Sequence, residues 1–315
     1  MTQPHAAIHA SELTKRFPDV LAVDHLSFHV TAGEVFGLVG PDGAGKTTTL
    51  RMLAGVLTPD SGSATVAGLD IAQDPEGVKA RISYMPQRFG LYEDLTVDEN
   101  IRFYADVFGI PRMERETRAR QLLHAAGMGP FGGRLAGKLS GGMKQKLGLV
   151  CALIHKPHVV LLDEPTNGVD PVSRREFWRI LYGLLGEGIA IVMSTAYLDE
   201  AERCHRVALL RQGRLLFCDA PAELKKNLQG AVVSVIAPDP RRVQAALTHA
   251  EGVLNVVLVG DGLHLVVDNA ERRLPELRTL LTAAGLPFDA VEHVVPTIED
   301  LFVASVVGHT DRGTG

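Results

Sequence analysis

The nine residues GPDGAGKTT, at positions 40–48, decide the fold expected for this chain. They fit the pattern G-x-x-x-x-G-K-[ST] and lie between an apolar run, Val35–Val39, and a helical stretch, Thr47–Ala54. Glycines in this position let successive backbone N–H groups point at phosphate oxygens, and the start of a helix adds positive potential. Lys46 can then neutralise the outer phosphates, and the Thr47 hydroxyl can bind Mg²⁺. The stretch therefore predicts a phosphate-binding loop in an α/β fold that binds a nucleotide.

Two carboxylates follow a second apolar run, HVVLLDE, at positions 158–164. Such a run describes a buried strand that delivers its last side chains at its carboxyl end, where ligands bind in open α/β sheets. Asp163 is placed to hold Mg²⁺, usually through water, and Glu164 to polarise an attacking water. One Asp-Glu pair after a strand carries little weight alone, but together with the phosphate loop it predicts hydrolysis of the nucleotide.

A third stretch, LSGGMKQ at positions 139–145, predicts a second anion-binding helix start. Ser140 is a natural N-cap, and Gly141 and Gly142 leave backbone N–H groups exposed at the entrance of the helix. One chain would then have two phosphate-binding ends. The alternative is that the two glycines only make the start of the helix flexible.

Apolar runs and helical stretches alternate over most of the chain, which predicts an α/β fold with strands buried on both faces. Between Gln87 and about Leu153 the pattern becomes mainly helical and predicts a helical insert. The expected strands are Ala22–Val30, Val35–Val39, Ala64–Val66, Ile82–Met85, His158–Asp163, Ile189–Ser194 and Val207–Leu210. The expected helices of the insert are Thr96–Phe108, Met113–Ala126 and Gly142–Ile154.

A second unit of about 75 residues is expected after Gly230. Its pattern predicts the order strand, helix, strand, strand, helix, strand and a last helix at Ile298–Val306, with a hairpin at Gly-Asp-Gly, positions 260–262. A βαββαβ unit of this size is a small ferredoxin-like α+β domain. We therefore expect a nucleotide-binding domain at 6–230 with a helical subdomain at about 88–153, an accessory domain at 231–307, and a disordered tail at 308–315.

The composition favours a protein that works away from nucleic acid. The chain has 315 residues and a formal net charge of −5, the wrong sign for a protein that coats nucleic acid. No apolar run approaches the roughly 20 residues that a membrane-spanning helix needs, and the N-terminus lacks a basic head followed by an apolar segment. Three cysteines without a CxxC pair fit a reduced, cytoplasmic setting.

The quoted motifs resemble those of the nucleotide-binding subunits of ABC transporters, over about residues 6–230. GPDGAGKTT looks like the Walker A loop, LSGGMKQKL like the ABC signature, and VVLLDEP like Walker B. Gln87, in YMPQ, resembles the Q-loop glutamine, and NGVDP, at positions 167–171, resembles the D-loop. Phe17 lies where the family has an aromatic residue that stacks on adenine. The C-terminal unit, which ends in PTIEDLF at positions 296–302, is similar to the accessory domain of ABC-2-type exporter ATPases, most of all the YbhF-type and daunorubicin-resistance-type multidrug efflux subunits.

This resemblance implies a P-loop NTPase ABC cassette, with a mixed sheet and a helical subdomain, that hydrolyses ATP with Mg²⁺. It implies catalytic roles for Lys46, Gln87 and Glu164, and metal binding by Thr47, Gln87 and Asp163. ATP would lie between two cassettes in a head-to-tail dimer, either a homodimer or a heterodimer with another ATPase cassette. The implied nucleotide-binding residues are Phe17, Gly40, Pro41, Asp42, Gly43, Ala44, Gly45, Lys46, Thr47 and Thr48, with Ser140, Gly141 and Gly142 of the other subunit.

The resemblance also implies a subunit that is peripheral on the inner face of the cell membrane. It would dock on an ABC-2-type transmembrane permease, which in this family selects the transported substrate. The coupling helix of that permease would contact the helical insert near Phe89, Leu91 and Tyr92, unless those residues are simple core. The accessory domain is either a packing module that lengthens the dimer contact or a site of regulation. Two other functions stay open: a soluble ABC ATPase that acts on nucleic acid or ribosomes, and a nucleotide-binding regulator that hardly hydrolyses.

One position departs from the family pattern. The family places a histidine that contacts the γ-phosphate in the switch loop, whereas MSTAYLDE, at positions 193–200, has Ala196 there. Alanine offers neither a hydrogen bond nor a charge. In an extended segment Thr195 and Tyr197 should point to the opposite side from Ala196, so neither is an obvious substitute. We therefore expect slow hydrolysis with ATP-driven closure intact, or a partner domain that supplies a more competent site.

Overall fold

The computed structural model describes residues 6–88, 90–260 and 262–310 of the chain. The chain divides into two compact units, Met1–Cys218 and Asp219–Gly315, so the predicted boundary between residues 230 and 231 falls inside the second unit. Within the described ranges, no helix is both long and apolar enough to cross a membrane.

The first unit contains the strands and helices that surround the phosphate loop. Its strands are β1 (Ala6–Phe17), β2 (Val20–Thr31), β3 (Val35–Val39), β4 (Ser61–Val66), β5 (Leu69–Asp70), β6 (Ile82–Met85), β7 (Val159–Asp163), β8 (Ala190–Thr195), β9 (Arg206–Arg211) and β10 (Arg214–Asp219). Its α-helices are α1 (Lys46–Leu53), α2 (Pro75–Arg81), α3 (Val97–Val107), α4 (Arg112–Ala125), α5 (Gly141–Leu153), α6 (Pro171–Leu185) and α7 (Leu198–Ala201).

Two sheets form the frame of this unit. The larger has the order β10-β9-β3-β8-β7-β6, and its strands from β9 to β6 run parallel. The smaller, β2-β1-β4-β5, is antiparallel. Every residue of β3 and β7 is buried, as their unbroken apolar runs predict for strands covered on both faces. One hydrophobic core joins both sheets and α1, and it includes Ile8, Phe36 and Leu50. The predicted cassette architecture is confirmed.

The predicted helical insert is also confirmed, since α3, α4 and α5 each begin and end within one residue of the expected bounds. Thr96 and Glu99 form a capping box at the start of α3, which explains why this boundary could be predicted. Strands β1, β5 and β10 were missed. In β1 several register shifts against β2 interrupt the two-residue alternation on which strand prediction depends.

The second unit has the predicted ferredoxin-like topology. Its elements are α8 (Pro221–Lys225), β11 (Ala231–Ile236), α9 (Pro240–Leu247), β12 (Val253–Val259), β13 (Gly262–Val267), α10 (Ala270–Ala283), β14 (Ala290–Val294) and α11 (Ile298–Thr310). The sheet is antiparallel with the order β12-β13-β11-β14, and α9 and α10 share a core with it that includes Val233, Leu265 and Leu277.

The prediction for the C-terminal end is partly wrong. The last helix was expected to end at Val306 and a disordered tail to begin at Gly308, but α11 continues to Thr310. Gly308 does not end the helix, because a glycine inside a helix costs only about 1 kcal/mol relative to alanine. The rest of the predicted tail, 311–315, lies outside the described residues.

Candidate nucleotide site

A cavity of about 850 Å³ lies at the carboxyl ends of β3, β7 and β8. Ligands bind at this edge in open sheets of parallel strands, and the volume is sufficient for a nucleotide. The turn between β1 and β2, the segment after β6 and the turn between β9 and β10 complete its walls. All the side chains described in this section belong to the first unit.

The loop between β3 and α1 has the shape of a phosphate-binding loop. Gly43 and Gly45 have φ values of 77° and 97°, in the left-handed region that favours glycine. A Cβ on Gly45 would collide with the backbone oxygen of Ala22. Helix α1 begins at Lys46, so its unpaired N–H groups lie at the cavity. The cavity is lined by Asp42, Gly43, Ala44, Gly45, Lys46, Thr47 and Thr48.

Gly40 and Pro41 contact the lysine side chain and do not line the cavity. Their backbone oxygens accept hydrogen bonds from Lys46 Nζ at 2.8 and 3.1 Å, and the lysine side chain is only 4% exposed. Lys46 Nζ also lies 3.3 Å from Glu164 Oε1. The ammonium group is therefore held in the loop, at the place where outer phosphates would bind.

Glu164 is the point at which the predicted catalytic residues meet. Gln87 Nε2 donates a hydrogen bond to Glu164 Oε2 at 3.0 Å, opposite the contact of Lys46 with Oε1. The backbone of Glu164 has a φ of 47°, unusual for a residue other than glycine, and its N–H donates to Ser194 Oγ at 2.9 Å. Strained backbone of this kind is common at functional sites.

The residues beside Glu164 fit a magnesium ion. Thr47 Oγ1 donates a hydrogen bond to Asp163 Oδ1 at 3.0 Å, and Ser194 Oγ donates to the same oxygen at 2.6 Å. Tyr84 donates to Asp163 Oδ2 at 3.3 Å, and burial, with the Asp163 charge nearby, raises the pKa of this phenol. A buried carboxylate next to a hydroxyl supplies the oxygen ligands that Mg²⁺ prefers. Sequence reasoning missed Ser194, because its place opposite Asp163 comes from the pairing of two strands that are far apart in the chain.

A family model and several named relatives identify the family of this chain. The family model described as "ABC transporter" matches residues 23–167. The chain is 46% identical over 303 residues to the probable multidrug ABC transporter ATP-binding protein YbhF of Escherichia coli (strain K12), covering 95% of this chain and 52% of that protein. It is 38% identical over 300 residues to the Nod factor export ATP-binding protein I of Burkholderia thailandensis, covering 95% of this chain and 96% of that protein. The chain belongs to the ATP-binding proteins of ABC transporters.

Further relatives agree with this assignment. The chain is 34% identical over 313 residues to the daunorubicin resistance ATP-binding protein DrrA2 of Streptomyces coeruleorubidus, covering 98% and 97%. The solved structure of an ATP binding subunit of an ABC transporter aligns with a TM-score of 0.64 and 29% identity, over 70% of this chain and 92% of that one. The chain spans about half the length of its YbhF relatives and nearly the full length of the other two.

The stretch that resembles the ABC signature lies at the start of α5. Ser140 Oγ caps the helix by accepting a hydrogen bond from the Met143 N–H at 3.3 Å. A Cβ on Gly142 would collide with the Ser173 hydroxyl, whereas a Cβ on Gly141 would enter open space. Ser140, Gly141 and Gly142 do not line the cavity described above. One chain thus brings Walker A, Walker B and the Q-loop together and leaves its signature apart from them.

Phe17 provides an aromatic face at the mouth of the ABC site. The residue is 41% exposed and lines the cavity beside Val20 and Leu21. Lys15 Nζ lies 6.0 Å from the centre of the Phe17 ring and is held by Asp60 Oδ1 at 2.7 Å. An exposed ring among apolar neighbours is suited to stacking on a base.

The switch loop differs in part from the prediction. Thr195 lines the cavity, and its Oγ1 donates to the buried Glu200 Oε2 at 2.7 Å. Tyr197 lines the same cavity as Ala196, and its hydroxyl lies 3.3 Å from Asn167 Oδ1. The expectation that Tyr197 points to the opposite side is wrong because the chain leaves β8 at Thr195 and turns into α7, which begins at Leu198.

The segment after the Q-loop is fixed to the helical subdomain. The buried Asn100 accepts a hydrogen bond from the Tyr92 N–H at 2.9 Å and donates one to the Tyr92 carbonyl at 3.0 Å. The Tyr92 side chain is 47% exposed and packs edge-on against Phe103 at 4.6 Å between ring centres. Leu91 is half-buried, and Phe89 lies outside the described residues.

Proposed function

We propose that this chain binds and hydrolyses ATP with Mg²⁺ and powers an ABC-2-type membrane exporter. The observation that carries hydrolysis is the convergence of Lys46 and Gln87 on the Glu164 carboxylate, next to the Thr47–Asp163 pair. Export is supported by the relatives, whose names describe multidrug transport, Nod factor export and daunorubicin resistance.

Each residue has a distinct role in this proposal. Glu164 polarises the attacking water, and Lys46 neutralises charge on the outer phosphates. Thr47 and Asp163 would hold Mg²⁺, Asp163 usually through water, and the ion would neutralise charge that develops on the phosphates. Gln87 would sense the γ-phosphate and the metal, which is supported by the contact of its amide with the Glu164 carboxylate.

A second cassette completes the site. The signature residues Ser140, Gly141 and Gly142 present the N–H groups of a helix start but do not line the cavity of their own chain. In a head-to-tail dimer they would close over the phosphates bound to the other subunit. The partner is a second copy of this chain or another ATPase cassette.

The membrane partner is an ABC-2-type permease, and we place the chain on the inner, cytoplasmic face of the cell membrane. The exposed ring of Tyr92 on the helical subdomain supports a docking surface there rather than simple core. Co-purification with a multi-span membrane protein from detergent extracts tests this assignment. Its absence, with the chain found on ribosomes or nucleic acid, would favour a soluble ABC ATPase.

Replacement of the central carboxylate tests the enzymatic proposal. Glu164→Gln removes the group that polarises water, so we expect steady-state ATPase activity to fall by at least about 100-fold. Binding of ATP should persist, because the phosphate loop is unchanged. Glu76→Gln is a matched control, since Glu76 lies on α2 and pairs with Lys79 at the surface.

The same experiment separates a second candidate, a regulator that binds ATP and hardly hydrolyses it. The observation that favours this candidate is Ala196, which leaves the switch position without a polar side chain. If Glu164→Gln leaves the ATPase rate unchanged, the enzymatic proposal fails and the regulator is favoured.

A further inference from the structure

The turn between β9 and β10 places the side-chain amide of a glutamine, Gln212, at the nucleotide cavity. The turn consists of Gln212 and Gly213, with φ values of 50° and 80°. Gln212 is exposed and lines the cavity. Among the residues that the structure describes, nothing hydrogen-bonds to its side chain. The function derived above gives this amide no role.

Backbone contacts fix this turn at one place along the cavity. The Gly213 N–H donates to the Ala44 carbonyl at 3.2 Å, and the Gly213 carbonyl accepts from the Asp24 N–H at 2.9 Å. A Cβ on Gly213 would lie 2.9 Å from the backbone oxygen of Ala22. The turn therefore lies between β2 and the phosphate loop and contacts the backbone of both.

This position corresponds to the middle of a bound nucleotide. The wall formed by Phe17, Val20 and Leu21 is suited to the base, and the wall formed by the phosphate loop is suited to the phosphates. Gln212 emerges from a turn that touches both walls. The group between the base and the phosphates is the ribose.

The turn itself does not require glutamine. Two-residue hairpin turns with two positive φ values prefer Asn, Asp or Gly at the first position. The turn between β4 and β5, Ala67-Gly68, has the same backbone with φ values of 50° and 79°, and Ala67 does not line the cavity. A glutamine held in the left-handed region, with its amide at a cavity, is therefore an unfavourable local choice that a ligand contact would explain.

We propose that Gln212 recognises the ribose of the bound nucleotide through a hydrogen bond between its amide and a ribose hydroxyl. A primary amide both donates and accepts, which matches the two capacities of a hydroxyl group. The inference rests on the proposed function, because it requires a nucleotide in this cavity. It adds a specificity residue that lies on a turn outside the sequence motifs.

Binding of ribose-modified nucleotides tests the assignment. Calorimetry of the full chain without Mg²⁺, so that no hydrolysis occurs, would compare ATP, 2′-deoxy-ATP and 3′-deoxy-ATP. We expect loss of the contacted hydroxyl to weaken binding by about 3- to 10-fold, the usual worth of one neutral hydrogen bond. Gln212→Gly should weaken ATP binding by a similar factor and remove the difference between ATP and that deoxy-nucleotide.

Two variants separate recognition from folding. Gln212→Gly suits the left-handed turn better than glutamine, so the Tm should stay the same or rise while ATP binding weakens. Ala67→Gly makes the matching change in the equivalent turn and should leave the affinities for all three nucleotides unchanged.

The outcomes are distinguishable. If the parent chain does not bind ATP, the proposed function fails. If ATP binds but Gln212→Gly keeps both its affinity and its preference for the ribose hydroxyl, the inference is overturned. It is also overturned if parallel titrations with GTP show that the substitution changes only the preference between ATP and GTP, because Gln212 would then read the base.

Discussion

The site lacks a polar side chain at Ala196, where the family has a histidine. Ala196 is exposed in the cavity wall between Thr195, whose hydroxyl is bound to Glu200, and Tyr197, whose hydroxyl contacts Asn167. A histidine here would add a donor at the γ-phosphate, so we expect Ala196→His to raise the steady-state ATPase rate on the order of 10-fold. Ala196→Leu adds bulk without a donor and should not raise it. Equal rates for Ala196→His and the parent would remove the idea that this position limits turnover.

The residues of the site differ in how far the sequence could predict them. Lys46, Thr47 and Asp163 were found because local spacing places them at a loop and at a strand end. Ser194 was missed because its role comes from the pairing of β7 with β8, which puts it opposite Asp163. Gln212 was missed because only the packing of a distant hairpin turn brings it to the cavity. Contacts between segments that are far apart in the chain leave no characteristic spacing of residues in the sequence, so they could not be predicted from it.

At the level of elements, helices and strands were predicted correctly where the hydrophobic pattern is uniform along the element. They were missed where that pattern is interrupted. The helices of the insert and the buried strands β3 and β7 keep a uniform pattern over their whole length. Strand β1 does not, because its register against β2 shifts repeatedly. A strand that is bulged and only partly buried shows neither alternation nor a continuous apolar run, so its sequence lacks both signals.

Helix α11 begins at a cap that should respond to pH. The buried Asp300 Oδ2 accepts hydrogen bonds from the Thr297 N–H and hydroxyl at 2.7 and 2.8 Å, and Oδ1 faces His264 Nδ1 at 3.0 Å. The hydrogen bond with Asp300 raises the pKa of His264, against the opposing effect of burial. Burial alone would raise the pKa of Asp300, but the hydrogen bonds from His264 and Thr297 outweigh it and lower that pKa.

The directions of these two pKa shifts define the pH range in which the cap of α11 is most stable. The charged form of His264 stabilises the fold below its ordinary pKa of about 6.5, and this contribution is lost as pH rises through the raised value. The contribution of ionised Asp300 is present above its ordinary pKa and is lost as pH falls through the lowered value. Hydrogen exchange in β13 and α11 of the full chain, corrected for intrinsic rates, should therefore be faster at pH 8.5 than at pH 6. His264→Gln should abolish this difference, and an unchanged difference in that variant would refute the assignment.

At the scale of the whole molecule, one chain carries two helix starts for which we propose phosphate binding, and they do not share a cavity. Helix α1 begins in the cavity wall at Lys46, whereas α5 begins at Gly141, which does not line that wall. Two copies related by a two-fold axis would place each signature over the phosphate loop of the other. This proposed arrangement would explain why a helix start with exposed N–H groups lies outside the cavity of its own chain.

Mixing two inactive variants tests whether the chain forms this composite site with itself. Lys46→Ala disables the phosphate loop, and Gly141→Asp puts a carboxylate where phosphate should bind. A Cβ added at Gly141 would enter open space, and an acid at the start of α5 favours the helix, so folding should be preserved. In a 1:1 mixture about half of the dimers pair the two variants, and each mixed dimer has one intact site, so we expect about a quarter of the parent ATPase rate. Either variant alone should be inactive. A mixture as inactive as its components would contradict a head-to-tail homodimer and indicate pairing with a different cassette.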